Sequence, residues 1–329
     1  MRWFGAGGLR APVTAMSLLR MKRQAEKIVM VTCYDYPSAS HVLGAGVDVA
    51  LVGDSLGMVA LGYDTTQPVT LDEMVHHCKA VRRGVGAGAT PRPLVVCDLP
   101  FGSYEESPGV ALRSAVRLVK EGGADCVKLE GGAAMAPTVA KLVGAGVAVM
   151  GHVGLTPQAV GVLGGFRAQG RTAVKAAAVL DDALALQDAG AFAVVVECVP
   201  AVVGTAVAAA LDVPAIGIGA GVGLDGQVLV YHDLLGALAH PHHARHVPKF
   251  VRPFAQLGSA AHGGLSAFRD EVRASTFPDD ASSPYAMPDA ERAKFEASLE
   301  EKAPMTGRSR ENARRRNLDA DEYETINLY

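Results

Sequence analysis

At 329 residues the chain can hold one α/β barrel of about 250 residues with extensions, or two smaller domains. Apolar residues make up 49% but aromatics only 5%, and glycine occurs 37 times, so alanine, valine and glycine do most of the packing, which suits close helix-on-sheet layers better than an aromatic-cored sandwich. A net charge of −3 excludes an electrostatic case for nucleic acid or anionic membrane, no apolar stretch is both long and free of glycine as a transmembrane helix requires, and five scattered cysteines without a CxxC pair argue for a reducing compartment and against a disulfide framework or zinc site.

Residues 1–13 read as an N-terminal extension. The first ten contain two arginines and no acid, which suits a frayed terminus or a short transit peptide. The protein is therefore expected in the cytoplasm, with the mitochondrial matrix as the alternative. From Thr14 the pattern alternates. A short basic helix over 16–24 precedes a strand over 28–33, and a helix over 38–45 precedes a strand over 49–53. Thr70 and Glu73 form a capping box that starts a helix over 71–83. Strands follow over 94–97 and 126–129, separated by a helix over 109–121 that stops at Gly122-Gly123. A helix over 134–143, a strand over 147–150, a helix over 173–189 and a strand over 192–196 continue the alternation. A helix over 201–211, a strand over 213–219 and an eighth strand over 227–230 complete it. Such repeats imply a parallel sheet with right-handed crossovers. Eight of them over 14–280 fit a (β/α)8 barrel better than a doubly wound open sheet, although the sequence does not show whether the sheet closes. Residues 281–329 are strongly charged and poor in apolar groups, with Arg314-Arg-Arg316 followed by Asp319, Asp321, Glu322 and Glu324. They read as a solvated, largely disordered tail with one short helix near 289–302.

Three of the apolar runs stop on an acid: Val-Ala-Leu-Val-Gly-Asp54, Leu-Val-Val-Cys-Asp98 and Cys-Val-Lys-Leu-Glu130. Continuous β-branched runs are strands buried on both faces, and their carboxyl ends form the rim where α/β enzymes keep their chemistry. One acid there can be a helix N-cap. Three converging acids would repel one another unless a cation held them, and a hard divalent ion, magnesium by default, is the natural choice. The other strand ends contribute Ser55, Lys128, His152 and Glu197. Period-two alternation places Lys128 and Glu130 on one face. Together these residues supply a metal clamp, a cation for an anionic group and two proton carriers, His152 and Glu197. Those are the parts needed to remove a proton beside a carbonyl and stabilise the resulting enolate.

Two further patterns carry less. Gly221-Val-Gly223-Leu-Asp-Gly226 matches GxGxxG, but no helix-like stripe opens after it, and no acid occurs between Asp233 and Asp270. A glycine turn pressed against a neighbouring segment explains it better. His240-Pro-His242-His243-Ala-Arg-His246 looks like a metal tract, and its proline and setting make it a solvated loop.

The segments Thr32-Cys-Tyr-Asp-Tyr-Pro-Ser-Ala, Leu51-Val-Gly-Asp-Ser-Leu-Gly-Met, Pro68-Val-Thr-Leu-Asp-Glu-Met, Asp98-Leu-Pro-Phe-Gly-Ser-Tyr, Val127-Lys-Leu-Glu-Gly-Gly, Gly151-His-Val-Gly-Leu-Thr-Pro-Gln, Gly164-Gly-Phe-Arg-Ala-Gln-Gly, Glu197-Cys-Val-Pro and Ile216-Gly-Ile-Gly-Ala-Gly run in one order through the chain. In these the chain resembles the ketopantoate hydroxymethyltransferase family. The resemblance implies a TIM barrel of the phosphoenolpyruvate/pyruvate superfamily type. It also implies transfer of a hydroxymethyl group from 5,10-methylenetetrahydrofolate to 3-methyl-2-oxobutanoate, giving 2-dehydropantoate through a magnesium-stabilised enolate. By the same resemblance one Mg2+ per subunit is held by Asp54 and Asp98, with Glu130 completing the site directly or through water. The keto acid meets Asp54, Ser55, Asp98, Lys128 and His152, and Glu197 is the proton acceptor. The partners implied are the keto acid, the folate and further copies of the chain, as a decamer, with no nucleic acid and no membrane. The turn Gly221–Gly226, the run 240–246 and the tail depart from the family pattern. Two alternatives stand beside this reading: a magnesium-dependent lyase or mutase on the same barrel, for which Cys198 is the thiol to ask about, and a catalytically silent structural paralogue.

Overall fold

The computed structural model describes residues 11–86, 91–237, 248–283 and 285–302. The run 240–246, the arginines 314–316 and the first ten residues lie outside these. The chain divides into two compact units, Met1–Ala261 and His262–Tyr329.

The first unit is built on eight parallel strands that pair in sequence order and close, β8 on β1. They are β1 Ile28–Thr32, β2 Val49–Val52, β3 Leu94–Asp98, β4 Cys126–Lys128, β5 Val149–Gly154, β6 Ala193–Glu197, β7 Ala215–Ile218 and β8 Gly226–Leu229. The open-sheet alternative is thereby removed. Alternation divides each strand between two cores. Met30, Val49, Leu51, Leu94, Val96, Cys126, Met150, Ala193, Val195, Ile216 and Val228 pack together inside the barrel. Their neighbours Val31, Ala50, Val95, Cys97, Val127, Val149, Val194 and Ala215 face the surrounding helices. Helix α1, Ala15–Arg23, sends Leu18 and Met21 into the interior cluster, and Lys22 ties it in place through Asp225 at 2.8 Å.

Continuing the inward row one step past the apolar layers reaches the polar rim. On β3 it runs Leu94, Val96, Asp98; on β4, Cys126 and Lys128, with Glu130 just beyond; on β6, Ala193, Val195, Glu197. β5 begins two residues later than expected and runs four further, because its pairing with β6 continues through Gly151, His152, Val153 and Gly154. His152 is therefore a residue of the strand itself, not of the loop after it.

The capping box at Thr70 and Glu73 is formed, with helix Leu71–Gly84 behind it. The glycine turn leads into β8 and not into a helix, so the dinucleotide fingerprint fails structurally. A Cβ at Gly226 would stand 2.4 Å from the Ile28 carbonyl oxygen, which is the close approach that requires glycine where the barrel closes. A helix over Leu257–Arg273 has no counterpart in the sequence reading. Gly263 and Gly264 interrupt its middle and hide the spacing of Leu257, Leu265, Phe268 and Val272. In the second unit the helix expected near 289–302 is present as Asp289–Lys302. All five cysteines are free thiols.

Candidate active site

The carboxyl ends of the strands open into a cavity of about 490 Å3. It is lined by every residue singled out from the sequence: Asp54, Ser55, Asp98, Lys128, Glu130, His152 and Glu197. Asp54, Asp98, Lys128, Glu130 and His152 are each at most 5% exposed. The parallel register sets Asp98 of β3 directly opposite Lys128 of β4. Lys128 Nζ lies 2.8 Å from Asp98 Oδ1, and Asp98 Oδ2 accepts the Asp54 backbone N–H at 3.0 Å. Ser55, the residue after Asp54, exchanges a hydrogen bond with the Tyr34 hydroxyl at 2.9 Å.

Around His152 the geometry selects a tautomer. Lys128 Nζ, which can only donate, is 3.4 Å from His152 Nδ1. Nδ1 is then the acceptor and Nε2 carries the proton, an assignment that follows from the donor pattern. Nε2 stands 3.2 Å from Glu197 Oε2, and Nδ1 stands 3.6 Å from Glu130 Oε1. Glu197 thus faces the cavity from the strand two along from the Lys128 strand, with a ring N–H beside its carboxylate.

The electrostatics are those of a site short of positive charge. Three buried acids surround one ammonium, so with all three ionised, three minus one would leave two negative charges uncompensated. Burial, and then the neighbouring Asp98, push the Asp54 carboxyl up to about 7. Glu130 is also raised, by burial first and then by Asp54. Burial alone would lower Lys128, but Asp98, Glu130 and Asp54 outweigh it and hold the ammonium charged.

Whether a cation fits was tested on the donors. All three acids offer oxygen, which suits a hard divalent ion. Asp98 Oδ1 is buried and takes no aligned hydrogen bond, despite its closeness to Lys128. Among the described residues, however, no three acid, histidine or cysteine side chains close on one point as ligands of a single ion. Lys128 is drawn to Asp98 at 2.8 Å, and the convergence expected from the sequence is not reached. The residues fit a partly hydrated ion taken by one or two carboxylates, as magnesium prefers.

Beyond the polar wall the cavity is apolar. Val195, Ile218, Val228, Val230, Met58, Phe166 and Phe250 line it, and Asp233 and Lys249 add an acid and a cation. Burial pushes the Asp233 carboxyl up to about 6. Cys198, next to Glu197, has its thiol pushed up to about 12 by burial and by that carboxylate. It stays protonated at neutral pH and does not fit the reactive thiolate that the lyase alternative needs.

Four polar residues were missed as site residues: Tyr34, Tyr104, Gln158 and Asp233. Tyr34, Tyr104 and Gln158 fall inside the motif segments quoted above. Nothing in spacing or periodicity marks them, because Tyr34 and Tyr104 reach the site from loops and Gln158 and Asp233 from helical pieces of three and four residues, too short to show a period. Their contacts exist only once the barrel has closed.

A closed (β/α)8 barrel with an acid-rich, lysine-bearing rim defines an α/β-barrel enzyme whose chemistry sits at the strand ends. The profile of the ketopantoate hydroxymethyltransferase family matches residues 12–280. A 3-methyl-2-oxobutanoate hydroxymethyltransferase of Oryza sativa subsp. japonica, named as mitochondrial, is 52% identical over 92% of this chain and 83% of its own. The corresponding protein of Moorella thermoacetica is 56% identical over 82% of this chain and 97% of its own. Among solved structures, a phosphonopyruvate hydrolase complexed with oxalate and Mg++ superposes with a TM-score of 0.53 at 10% identity, covering 88% of this chain and 98% of that one, a likeness of fold. The chain belongs to the ketopantoate hydroxymethyltransferase family and is an enzyme of pantothenate biosynthesis.

Among the described residues no helix is long and apolar enough to cross a membrane.

Proposed function

We propose that the enzyme moves a hydroxymethyl group from 5,10-methylenetetrahydrofolate to 3-methyl-2-oxobutanoate through an enolate, with Glu197 as the base. The observation that carries this reading is the position of Glu197. Its carboxylate faces the cavity beside His152 Nε2, across from the acids of β2 to β4. A proton taken from C3 of a keto acid seated against Asp54, Ser55 and Asp98 would have Glu197 as its acceptor. His152 Nε2 lies 3.2 Å from that carboxylate without an aligned hydrogen bond, close enough to receive or return a proton after a small shift. Lys128 supplies positive charge as the keto oxygen becomes an enolate oxygen. A divalent cation held by Asp98 and Asp54, with Glu130 further out, supplies Lewis-acid polarisation of the carbonyl when bound. The magnesium in the phosphonopyruvate hydrolase structure supports that choice of ion.

The cavity volume lies within the range that takes a drug-sized ligand and exceeds the needs of a small keto acid. The apolar lining, which includes Phe166 and Phe250, would receive the ring system of the folate, with Asp233 as a polar partner. Family membership also supports a cytoplasmic or organellar homo-oligomer, read here as a decamer, which light scattering would test.

The deciding experiment is solvent deuterium exchange at C3 of 3-methyl-2-oxobutanoate, with magnesium and without folate, in the wild type and Glu197→Gln. Metal-dependent exchange should fall about 10²-fold or more in the variant, the scale of a lost general base. Exchange that is unchanged in the variant sinks the role of Glu197. If the wild type shows none, exchange restored by tetrahydrofolate keeps the enolate reading, and its continued absence sinks it.

A further inference from the structure

Outside the residues assigned to substrate, cation and base, one residue bonds two acids of the polar wall, Asp54 through its side chain and Glu130 through its backbone N–H. Gln158 lies on the short turn Pro157–Ala159 after β5 and is 3% exposed. Its Nε2 donates to Asp54 Oδ2 at 2.8 Å and to the Leu99 carbonyl at 2.9 Å. Its backbone N–H donates to Glu130 Oε2 at 3.0 Å. Its own carbonyl accepts from Gln67 Nε2 at 2.9 Å, which anchors the turn. A single residue therefore holds one oxygen of each of two acids delivered by different strands.

A carboxamide can flip end for end, and a flipped Gln158 would turn its oxygen toward the Asp54 carboxylate. Tyr104 prevents this. Its hydroxyl donates to Gln158 Oε1 at 2.5 Å and accepts from the Glu130 backbone N–H at 3.3 Å. The hydroxyl has one proton, and the shorter contact takes it in preference to the Glu130 carbonyl at 3.3 Å. Oε1 is thereby fixed as acceptor, and both Nε2 protons must point at Asp54 and Leu99. Every polar group of Gln158 is satisfied, so the arrangement has no cheap alternative.

We infer that Gln158 is a positioning residue that sets the spacing of Asp54 and Glu130 for a cation, and that Tyr104 acts through it as the lock on its orientation. The inference rests on the cation reading above. Its chemistry is specific. Asp54 Oδ2 and Glu130 Oε2 each accept from Gln158, which leaves the other oxygen of each acid as the more open one for a cation. Outer hydrogen-bond partners of this kind orient metal-binding groups, and their loss typically weakens metal affinity about 10–100-fold.

The test is the affinity of the intact enzyme for Mn2+, read by electron paramagnetic resonance without substrate, in the wild type, Gln158→Ala, Tyr104→Phe and the double variant. Gln158→Ala should raise the Kd about 10–100-fold and Tyr104→Phe about 3–10-fold. In the double variant Tyr104→Phe should add nothing, because the lock has nothing left to hold. A loop staple without this role would leave the Kd within twofold of wild type in folded protein, and that result overturns the inference. Full additivity of the two changes overturns the lock. If Gln158→Ala does not fold, an unchanged Kd in Tyr104→Phe is enough to overturn it. A wild type that binds no Mn2+ overturns the cation reading itself, whereas a binding wild type with unaffected variants overturns this inference alone.

Discussion

Asp98 and Lys128 stand opposite one another in the β3–β4 register, with carboxylate and ammonium 2.8 Å apart and both almost wholly removed from water. The pair is not there for net stability alone, since a buried ion pair seldom repays its desolvation. Its consequence is electrostatic. Lys128 is the fixed cation of a cluster whose acids outnumber it, and it gives a bound anion a permanent partner before any metal arrives.

Replacing Lys128 by methionine should therefore expose the imbalance. With three buried acids and no ammonium, the loss should be about 3–5 kcal/mol, the cost of stranding a buried charge. Thermal unfolding in EDTA checks this, and added magnesium should recover part of the loss by supplying the missing charge. Equal stability of variant and wild type in EDTA would show that the acids are neutral in the folded protein.

Gly226 sits where β8 meets β1, with no room for a Cβ beside the Ile28 carbonyl. Gly226→Ala should destabilise the barrel by about 1–3 kcal/mol through overpacking against the backbone, which cannot rotate away. Urea unfolding would measure it, and amide exchange should show protection lost first in β1 and β8.

Cys198 lies beside Glu197, its Sγ 3.9 Å from Oε1, and its thiol stays protonated. Cys198→Ala should retain hydroxymethyl transfer within about tenfold, far from the 10²-fold or greater loss expected of a lost general base. A loss of several orders of magnitude would return the lyase-type reading to consideration. The check is the rate of 2-dehydropantoate formation.

Asp233 is raised by burial from 3.8 to about 6. The folded state holds this proton more tightly than the unfolded state does, so stability must fall as the pH rises from about 4 to about 6. Relative to wild type, Asp233→Asn should show little difference near pH 4 and gain stability above pH 6, read as the difference in Tm. The same variant should weaken tetrahydrofolate binding while folate-free exchange at C3 persists. Equal loss of both would place Asp233 in the keto-acid site instead.

Much of the site was legible because a parallel barrel ties sequence pattern to geometry. Once 94–98 and 126–128 are strands of one sheet, alternation alone sends Asp98 and Lys128 inward at the same end, with Glu130 one step beyond. Asp54 is out of phase with the inward Val49 and Leu51 and enters the site from the turn after β2, whereas Glu197 follows from the same rule. Gln158 and Tyr104 do not, since a loop has no period and their partners lie on other strands. The helix Leu257–Arg273 escaped for a local reason, its central glycine pair.

The sequence by itself determined the alternation of elements, the capping of the helix at Thr70 and the placing of acids, lysine and glutamate at strand ends, because each depends on residues a few positions apart. Only the tertiary structure decided that the sheet closes, that Lys128 lies against Asp98, and that Tyr104 and Gln158 brace two of the acids. Those facts depend on distances between residues 26 to 198 positions apart, which the folded barrel sets through register and close packing.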